Sequence, residues 1–353
     1  MKINLPKVTV VTVTYNAEEY LEQTIKSVIK QDYPNIEYII IDGASSDRTV
    51  RIIKEYQKYI SYWTSEPDSG IYDAMNKGID IATGEWINFM NAGDSFVEFS
   101  TISNVINNLD KNTDIVAGDI YYLENGKSTY KKSHNLDKKF NGMFCFHQTM
   151  FTKIELLKKY KFNTSFKIAA DYYFTLKCAM NNYNFQFVDF AVANFLSGGI
   201  SETNKIQAKI EDLFVQSHYI KNKNDIFDLA SFQYLKKQDT SNENYTFTYF
   251  MNSFYKYIDK LDSSKSYLLY GYGNIGKLIY NRLGSSIKNI VDINYKNLST
   301  KDLPIYNPID INNFEFDYII ISVLGREEII IKDLIDNLKI NKNLLITLKL
   351  NNA

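Results

Sequence analysis

The pattern of apolar and polar residues along the first 100 positions predicts strands that alternate with helices. Short apolar runs at residues 7–13, 36–41 and 86–90 are bounded by turn-forming residues, which is typical of buried strands. Between the first two runs, Leu21, Ile25 and Val28 recur at the spacing of one helix face. Alternation through short connections predicts an α/β fold with a mostly parallel central sheet.

Another predicted helix lies in the stretch 66–94. Its apolar positions from Ile71 to Ala82 fall every three or four residues, and Asp68 and Ser69 are suitable residues to begin it. Gly84 fits the left-handed position that ends a helix. We therefore expect this helix to lie between two loops that carry polar side chains.

Polar side chains follow the three predicted strands at the point where each strand ends. Thr14, Tyr15 and Asn16 follow the first strand, Asp42 the second and Asp94 the third. We also expect Asn16 to cap the first helix. In a parallel sheet these ends share the edge at which α/β proteins bind ligands, so the polar groups should converge there. Because these turns contain no glycine-rich phosphate loop and no His or Cys cluster, the carboxylates favour a hard cation such as Mg²⁺ or Mn²⁺.

Two further groups of candidate residues lie later in the chain. His147 and Gln148 follow an apolar run, and Asp171 precedes a helix predicted at 172–180. A single histidine is most often a hydrogen-bonded structural residue, and a carboxylate at a helix start is often only an N-cap. Structural and ligand-binding interpretations of these residues both stay open at this point.

Residues 263–353 predict a second, smaller unit. A strand at 267–270 leads into the GxGxxG pattern of Gly271, Gly273 and Gly276, and the next strand ends at Asp292. This spacing matches the fingerprint of a dinucleotide site, in which the acid contacts a ribose. The same glycines also suit close packing of a helix on a strand. A small Rossmann-like α/β unit is therefore predicted, with nucleotide binding left open.

Composition excludes several classes of protein. A net charge of −1 over 353 residues gives no overall field that would attract nucleic acid. Cys145 and Cys178 lack the paired spacing of a zinc site and are expected to be buried thiols. No apolar run reaches the roughly 20 residues of a membrane span, so we expect a cytoplasmic protein. Peripheral association with the inner face of a membrane stays open because one polar loop carries four lysines: Lys131, Lys132, Lys138 and Lys139.

Seven segments, in this order and spacing, make residues 8–201 resemble family 2 glycosyltransferases, which have the GT-A, nucleotide-diphosphosugar transferase fold. The segments are VTVTYN (11–16), IIIDGASSDRT (39–49), EPDSGIYDAMNKGI (66–79), FMNAGD (89–94), HQTMF (147–151), AADYYFTLK (169–177) and GGIS (198–201). Each segment alone is a weak signal, whereas the ordered set is specific.

The resemblance implies roles for individual residues. It places the nucleotide-sugar donor against Thr14, Tyr15, Asn16, Asp42, Asp68, Asn76, Lys77 and Asn91. Asp94 would hold a divalent cation, Mg²⁺ or Mn²⁺, and Asp171 would be the catalytic base. His147 and Gln148 would lie on the acceptor side. The family motifs often carry further carboxylates where this chain has Asn91, Gly93 and Ala170.

We therefore expect an inverting glycosyltransferase of the hexosyltransferase type. It would move a sugar from a nucleotide donor, expected to be UDP-linked, to a glycan or lipid-linked saccharide in surface polysaccharide synthesis. The expected domains are a GT-A domain at 1–205, a helical region at 206–262 and the Rossmann-like unit at 263–353. Two other classes stay open: an NAD-dependent sugar oxidoreductase or epimerase, suggested by the GxGxxG pattern, and a non-catalytic binding protein, suggested by the missing carboxylates. The sugar, the acceptor and the oligomeric state are not predicted.

Overall fold

A computed structural model describes residues 5–164, 166–220, 229–231, 233–234, 258, 261–300, 302–323 and 327–347. These residues divide into two compact units. The first extends through residue 216 and includes 229–231, and the second contains the other described residues from 217 onward. The predicted helical region 206–262 lies largely outside the described residues, and the domain boundaries predicted at 205 and 263 stay predictions.

The first unit is built on one nine-stranded sheet. Its strands are β1 (Val8–Thr14), β2 (Ile36–Asp42), β3 (Tyr62–Ser65), β4 (Trp86–Phe89), β5 (Ser95–Phe96), β6 (Ile115–Glu124), β7 (Lys127–Lys131), β8 (Phe151–Lys153) and β9 (Phe185–Leu196). Its described helices are α1 (Leu21–Ile29), α2 (Thr49–Tyr56), α3 (Ile71–Ile81), α4 (Thr101–Asn107), α5 (Ile154–Tyr160), α6 (Ala170–Met180), α7 (Ile200–Thr203) and α8 (Lys205–Ser217).

The strand order is β3-β2-β1-β4-β8-β6-β9-β5, with β7 paired to β6. The strands from β3 to β4 are parallel, as predicted from the alternation of strands and helices. Beyond β4 the sheet is mixed, because β8 runs antiparallel to both β4 and β6. The α/β fold predicted from the sequence is confirmed. Asn125-Gly126, a residue pair typical of two-residue hairpin turns, joins β6 to β7 with positive φ at both residues.

Close packing of α3 on β1 positions the helix that borders the candidate site. All seven residues of β1 are buried, and Gly78 of α3 lies directly over Val11. A Cβ atom at residue 78 would lie 2.6 Å from Val11 Cγ1, so a larger residue would push the helix away from the sheet. This contact fixes the distance between α3 and the end of β1.

Two of the predicted turn residues have other roles. Asn16 does not cap the first helix, because α1 begins at Leu21 and Asn16 has a φ of 46°. Gly84 does not end α3 in a left-handed position, because the helix already ends at Ile81, Ala82 is its C-cap, and the φ of Gly84 is not positive. A Cβ atom on Gly84 would lie 2.5 Å from Thr9 Oγ1, so glycine is needed there for close approach to β1.

A buried carboxylate joins strands at the end of the sheet opposite to the candidate site. Glu37 accepts hydrogen bonds from the hydroxyls of Thr9 (2.6 Å) and Thr83 (2.5 Å), from the Thr83 backbone N–H (2.8 Å) and from Lys7 Nζ (3.1 Å). Burial by itself raises the pKa of Glu37, but these donors outweigh it and lower the pKa from 4.5 to about 2. Ionised Glu37 therefore stabilises the fold.

We expect Glu37→Gln to lower the free energy of unfolding at pH 7 by about 3 kcal/mol, the value linked to a pKa lowered from 4.5 to about 2. Because the folded pKa lies below the unfolded one, this contribution is complete above pH 4.5 and declines as the pH falls toward 2. Urea unfolding of the parent and the variant between pH 7 and 3 measures the difference. A difference that does not shrink below pH 4.5 would contradict the role of the charge.

The second unit has a five-stranded, all-parallel sheet in the order β12-β11-β10-β13-β14. Its described elements are β10 (Tyr267–Tyr270), α9 (Asn274–Leu283), β11 (Ile287–Val291), β12 (Ile305–Tyr306), β13 (Tyr318–Ile321), α10 (Glu327–Asp336) and β14 (Leu345–Thr347). A core that includes Leu268, Val291 and Ile319 lies against this sheet. The strand order is that of a doubly wound fold, as the predicted Rossmann-like unit requires.

Two predictions made from composition can also be compared with the structure. Cys145 and Cys178 are free and buried, as predicted. Within the described part of the chain, no helix is long and apolar enough to cross a membrane. The cytoplasmic location and the association with the inner face of a membrane stay predictions.

Candidate active site

The carboxyl ends of β1, β2 and β4 lie side by side at one edge of the first sheet. The Gly43 N–H donates to the Thr14 carbonyl at 3.0 Å, which joins the ends of β1 and β2. The Ala92 N–H donates to the Val13 carbonyl at 3.2 Å, which brings the loop after β4 to the end of β1. The strand ends therefore converge as the sequence predicts, and the polar residues that follow them share one site.

Asp42 organises the loop at this edge. Its side chain is fully buried, and it accepts hydrogen bonds from the Ser45 backbone N–H (3.0 Å), the Ser45 hydroxyl (2.5 Å) and the Ser65 hydroxyl (2.6 Å). The carboxylate therefore fixes the loop after β2 against the end of β3. Its predicted contact with a nucleotide stays a prediction.

Tyr15 and Asp68 flank Gly43 at the open side of the same edge. A Cβ atom on Gly43 would lie 2.7 Å from Asp68 Oδ2 and 3.3 Å from the Tyr15 ring, so the glycine leaves room for both side chains. Tyr15 is 66% exposed, and the Asn16 side chain accepts a hydrogen bond from the Ser46 N–H at 2.9 Å. An exposed aromatic face beside bare backbone is a suitable surface for a flat ring.

Three predicted donor-side residues near α3 have partners within the protein. Asp68 accepts from the Gly70 N–H at 2.8 Å, and Lys77 lies 2.9 Å from Glu66 Oε1. The Asn76 amide pairs with the backbone of Phe162 through both of its polar atoms, each at 2.9 Å. These contacts shape the loop before α3 and attach the helix to residue 162. Whether the same side chains also touch a donor stays a prediction.

Asp94 is a buried carboxylate whose neighbours offset little of the cost of burying its negative charge. Its residue is 7% exposed, and its Oδ1 accepts from the Leu196 N–H at 3.2 Å. Burial raises the pKa of Asp94 to about 7, although the charge of His147 and the Leu196 hydrogen bond oppose this effect. A bound cation would favour the ionised form of such a group.

Asn91 lies in the same turn as Asp94, whose N–H donates to the Asn91 carbonyl at 3.0 Å. Its side chain is buried, and its Oδ1 has no hydrogen-bond partner among the described residues. An orphaned amide oxygen in the same turn as a buried carboxylate fits a hard cation, which prefers oxygen ligands. No set of three or more His, Cys, Asp or Glu side chains in the described residues could hold a metal alone. A cation bound here would therefore need further oxygen atoms, which would have to come from a molecule bound beside it.

His147 lies between the Asn91 amide and the carboxylate of Asp171. Its Nε2 is 3.0 Å from Asn91 Nδ2, and its Nδ1 is 3.5 Å from Asp171 Oδ2. Burial lowers the pKa of His147, but the charges of Asp171 and Asp94 outweigh it, so the pKa is raised overall. Because the Asn91 amide N–H can donate only to an unprotonated ring nitrogen, we assign the neutral ring a proton on Nδ1, facing Asp171.

Asp171 lies in the first turn of α6, where one carboxylate oxygen is held and the other faces His147. Its Oδ1 accepts from the Tyr172 N–H at 2.8 Å and lies 3.0 Å from the Tyr72 hydroxyl. Burial and the nearby Asp171 charge raise the pKa of Tyr72 well above its usual value, so its phenol keeps the proton it donates. Asp171 Oδ2 is therefore the carboxylate oxygen that Tyr72 and Tyr172 do not hold, with the His147 ring 3.5 Å away.

Residues 9–174 match the family model described as Glycosyl transferase family 2. The matched residues all lie in the first unit, which is therefore similar to this family over most of its length and is called the family 2 domain below. Within the family 2 domain, the sheet edge, Asp94 and Asp171 are all inside or directly beside the matched segment. The second unit lies outside the match.

Relatives with curated descriptions are also glycosyltransferases. A Mycobacterium tuberculosis protein described as an uncharacterized glycosyltransferase is 44% identical over 92 residues, which cover 26% of this chain and 35% of the relative. The chain thus spans about a third of the length of that relative. A Mycobacterium bovis protein described as a PGL/p-HBAD biosynthesis glycosyltransferase is 28% identical over 185 residues, covering 50% of this chain and 71% of the relative.

Solved structures of glycosyltransferases have the same fold. Residues 1–349 of S. aureus TarS, solved with UDP-GlcNAc, superpose with a TM-score of 0.53 at 16% identity, and the match covers 80% of this chain and 84% of that TarS fragment. The mannosyltransferase PcManGT from Pyrobaculum calidifontis, solved with GDP-Man and Mn²⁺, gives a TM-score of 0.50 at 19% identity over 65% of this chain and 69% of PcManGT. At these identities the likeness shows the GT-A fold alone, and the predicted fold class is confirmed.

Some residues of the family 2 domain have roles that the sequence did not reveal. Gln148, predicted on the acceptor side, is 1% exposed, and its backbone carbonyl accepts from Asn88 at 2.9 Å. Tyr72 was not among the predicted site residues, although its hydroxyl lies 3.0 Å from Asp171 Oδ1. Glu211 of α8 lies outside the matched segment and binds the backbone before α6. Only the tertiary structure brings these residues to the site.

Two of the three glycines in the GxGxxG pattern of the second unit are required by the local structure, namely Gly271 and Gly276. A Cβ atom on Gly276 would lie 2.1 Å from the Gly271 carbonyl oxygen, so this glycine permits close packing of α9. Gly271 has a φ of 96°, while a Cβ atom on Gly273 would meet only open space. Asp292 accepts from the Tyr272 N–H at 2.7 Å and thereby holds the glycine loop. Nucleotide binding by this unit stays a prediction.

Proposed function

We propose that this chain is an inverting glycosyltransferase that moves a sugar from a UDP-linked donor to a glycan or lipid-linked saccharide in surface polysaccharide synthesis. The observation that carries the proposal is the polar line from Asn91 through His147 to Asp171, with Asp94 in the same turn as Asn91, at the sheet edge of the family 2 domain. It supplies an oxygen-rich place for a diphosphate at one end and a proton acceptor at the other.

Two similarities support the donor class and the pathway. TarS was solved with UDP-GlcNAc, and it has the same fold. The Mycobacterium bovis relative is described as a PGL/p-HBAD biosynthesis glycosyltransferase. These properties belong to those proteins, and we extend to this chain only a nucleotide-sugar donor and a saccharide or lipid-linked acceptor.

The donor base would lie against the edge formed by Tyr15, Gly43 and the loop fixed by Asp42. Tyr15 offers an exposed ring for stacking, and the loop after β2 is held rigid by its serine hydrogen bonds. Asp68 would face the ribose or sugar from the other side of Gly43. Rigid loops of this kind reduce the entropy that a ligand loses on binding.

We expect Tyr15→Ala to weaken UDP binding by about tenfold, since an aromatic pair contributes roughly 0.5–1.5 kcal/mol beyond its buried area. Calorimetry with UDP and Mn²⁺ measures this. Tyr15→Phe should bind like the parent, because it keeps the ring. The matched control is Tyr59→Ala, another exposed tyrosine that follows α2. Equal UDP affinity in Tyr15→Ala and the parent would remove Tyr15 from the donor site.

Asp94 and Asn91 would hold a divalent cation, Mg²⁺ or Mn²⁺. When bound, the cation would offset the charge that develops on the leaving diphosphate. Asp94 supplies the anionic oxygen, and the unpaired Oδ1 of Asn91 supplies a neutral one. The hydrogen bond between Asn91 Nδ2 and His147 Nε2 would orient the Asn91 amide, and His147 would thereby link the donor end of the site to Asp171.

Asp171 would act as the base on the acceptor side. The acceptor hydroxyl forms a new bond to the anomeric carbon as the bond from that carbon to the diphosphate oxygen breaks. The hydroxyl proton passes to Asp171 Oδ2, the oxygen that is not held by Tyr72 and Tyr172. One displacement inverts the configuration at the anomeric carbon, and no protein nucleophile is needed.

A panel of nucleotide sugars tests this function against the two alternatives. With Mn²⁺, the purified full-length chain should release UDP from at least one UDP-sugar, and EDTA should stop the release. Failure to hydrolyse or transfer from every donor would favour a non-catalytic binding protein. Nicotinamide absorbance that copurifies with the chain, together with donor oxidation, would favour the oxidoreductase.

A further inference from the structure

We propose that Glu211 is a positioning residue for the transfer reaction, because its carboxylate fixes the backbone segment that carries Asp171. The inference rests on the proposed function, in which Asp171 is the base. Glu211 lies on α8, beyond the end of the segment 9–174 that matches the family model. Nothing in the matched motifs points to this residue.

The Glu211 side chain is a buried acceptor for three consecutive backbone N–H groups. Its Oε2 accepts from Ile168 at 2.8 Å and from Ala169 at 2.9 Å, and its Oε1 accepts from Lys167 at 3.2 Å. Gln207, one turn earlier on α8, donates to the same Oε1 at 3.0 Å. The residue is 3% exposed, so little solvent competes for these bonds.

Glu211 holds the segment that leads into α6. The helix begins at Ala170, and its N-cap residue, Ala169, has no side-chain acceptor of its own. Glu211 accepts from the N–H of Ala169 and of the two residues before it, and its negative charge lies favourably near the positive end of α6. The direction in which α6 leaves the loop therefore depends on Glu211.

Tyr72 holds the same segment from the other side. Its hydroxyl contacts the Ile168 carbonyl oxygen and lies 3.0 Å from Asp171 Oδ1. Residue 168 is thus fixed through its N–H by Glu211 and through its carbonyl by Tyr72. Asp171 lies three residues after Ile168, so a shift of residues 167–169 would move the Asp171 carboxylate relative to His147.

Loss of the Glu211 carboxylate should therefore reduce catalysis without reducing donor binding. A misplacement of about 1 Å can cost about 100-fold in rate, so we expect Glu211→Ala to lower kcat for transfer by about 10- to 100-fold. Calorimetric affinity for UDP should stay within about twofold of the parent, since residues 167–169 lie on the acceptor side. Glu211→Gln, which retains one oxygen, provides a second variant if Glu211→Ala folds poorly.

The matched control is Asp212→Asn, the neighbouring carboxylate on the same helix. Asp212 is buried and accepts from Lys209 at 2.7 Å, which gives it a different partner from Glu211. The control should keep kcat within a few-fold of the parent. An equal loss in Asp212→Asn and Glu211→Gln would show that charge or helix packing is responsible, and it would overturn the proposal.

A double-mutant cycle separates positioning from general damage. If Glu211 acts through Asp171, Glu211→Ala should change the rate by less than about twofold when Asp171 is already Asn. The same 10- to 100-fold factor in both backgrounds would contradict positioning.

Hydrogen exchange tests the contact independently of activity. The amides of residues 167–169 should exchange about tenfold faster in Glu211→Ala but not in Asp212→Asn. If the parent chain transfers no sugar, the proposed function fails, and exchange alone decides whether Glu211 holds the segment. Unchanged exchange at these three amides would overturn that role as well.

Discussion

Replacing Asp171 with Asn is expected to lower the rate of sugar transfer by about 10²- to 10⁴-fold, the usual contribution of a general base. The amide oxygen can still accept from the Tyr172 N–H and the Tyr72 hydroxyl, so the start of α6 should be preserved. What is lost is the basic Oδ2 that faces His147. The affinity for UDP should barely change, because the base contacts the acceptor and not the diphosphate.

The measurement is the transfer rate and the UDP affinity of the same Asp171→Asn protein. Asp80→Asn is the control, because Asp80 is an exposed residue of α3 that pairs with Lys161. A transfer rate within a few-fold of the parent would exclude Asp171 as the base. His147 would then be the next candidate, because it lies 3.5 Å from Asp171. Asp119, a buried carboxylate of β6, is a weaker candidate because it already accepts from the Tyr130 hydroxyl at 2.5 Å and from the Ser133 N–H at 2.8 Å.

Replacing Asp94 with Asn should remove metal-dependent turnover, with a loss of about 10²- to 10³-fold, because a cation can supply several kcal/mol of transition-state stabilisation. The fold should tolerate the change. Burial already raises the pKa of Asp94 to about 7, so the folded protein does not depend strongly on its charge, and an amide oxygen can still accept from Leu196.

Turnover of the parent and of Asp94→Asn should be compared in Mg²⁺, in Mn²⁺ and in EDTA. The account predicts that EDTA lowers the parent to the level of the variant and leaves the variant unchanged. Full activity of the parent in EDTA would contradict the metal role of Asp94. Full activity of Asp94→Asn in Mn²⁺ would show that Asp94 is not needed to bind the cation.

The convergence of polar residues at one edge of the sheet could be predicted from the sequence because its parts are local. Thr14 and Asp42 each stand at the end of an apolar strand, and parallel pairing then brings the strand ends together. The Asn125-Gly126 turn was also predictable, because those two residues tolerate the positive φ that such a hairpin requires. Predictions of this kind need only periodicity and turn chemistry.

The residues that position the site could not be predicted, because they act through contacts between distant parts of the chain. Glu211 and residues 167–169 are more than 40 positions apart, and an isolated glutamate on a helix usually indicates a solvated face. Gly84 had the sequence context of a helix end, yet its small size is needed for contact with Thr9. Asn16 likewise has a left-handed conformation that serves the loop at Ser45 and not a helix cap.

The stereochemistry of the first product tests the central claim most directly. Time-resolved proton NMR can follow the purified chain with Mn²⁺ and the α-linked UDP-sugar that the donor panel selects. A single displacement assisted by Asp171 predicts that the anomeric centre first appears in the β configuration, before any mutarotation, and that Asp171→Asn slows its appearance by about 10²- to 10⁴-fold. A first product in the α configuration would contradict the direct displacement and the role of Asp171 as its base.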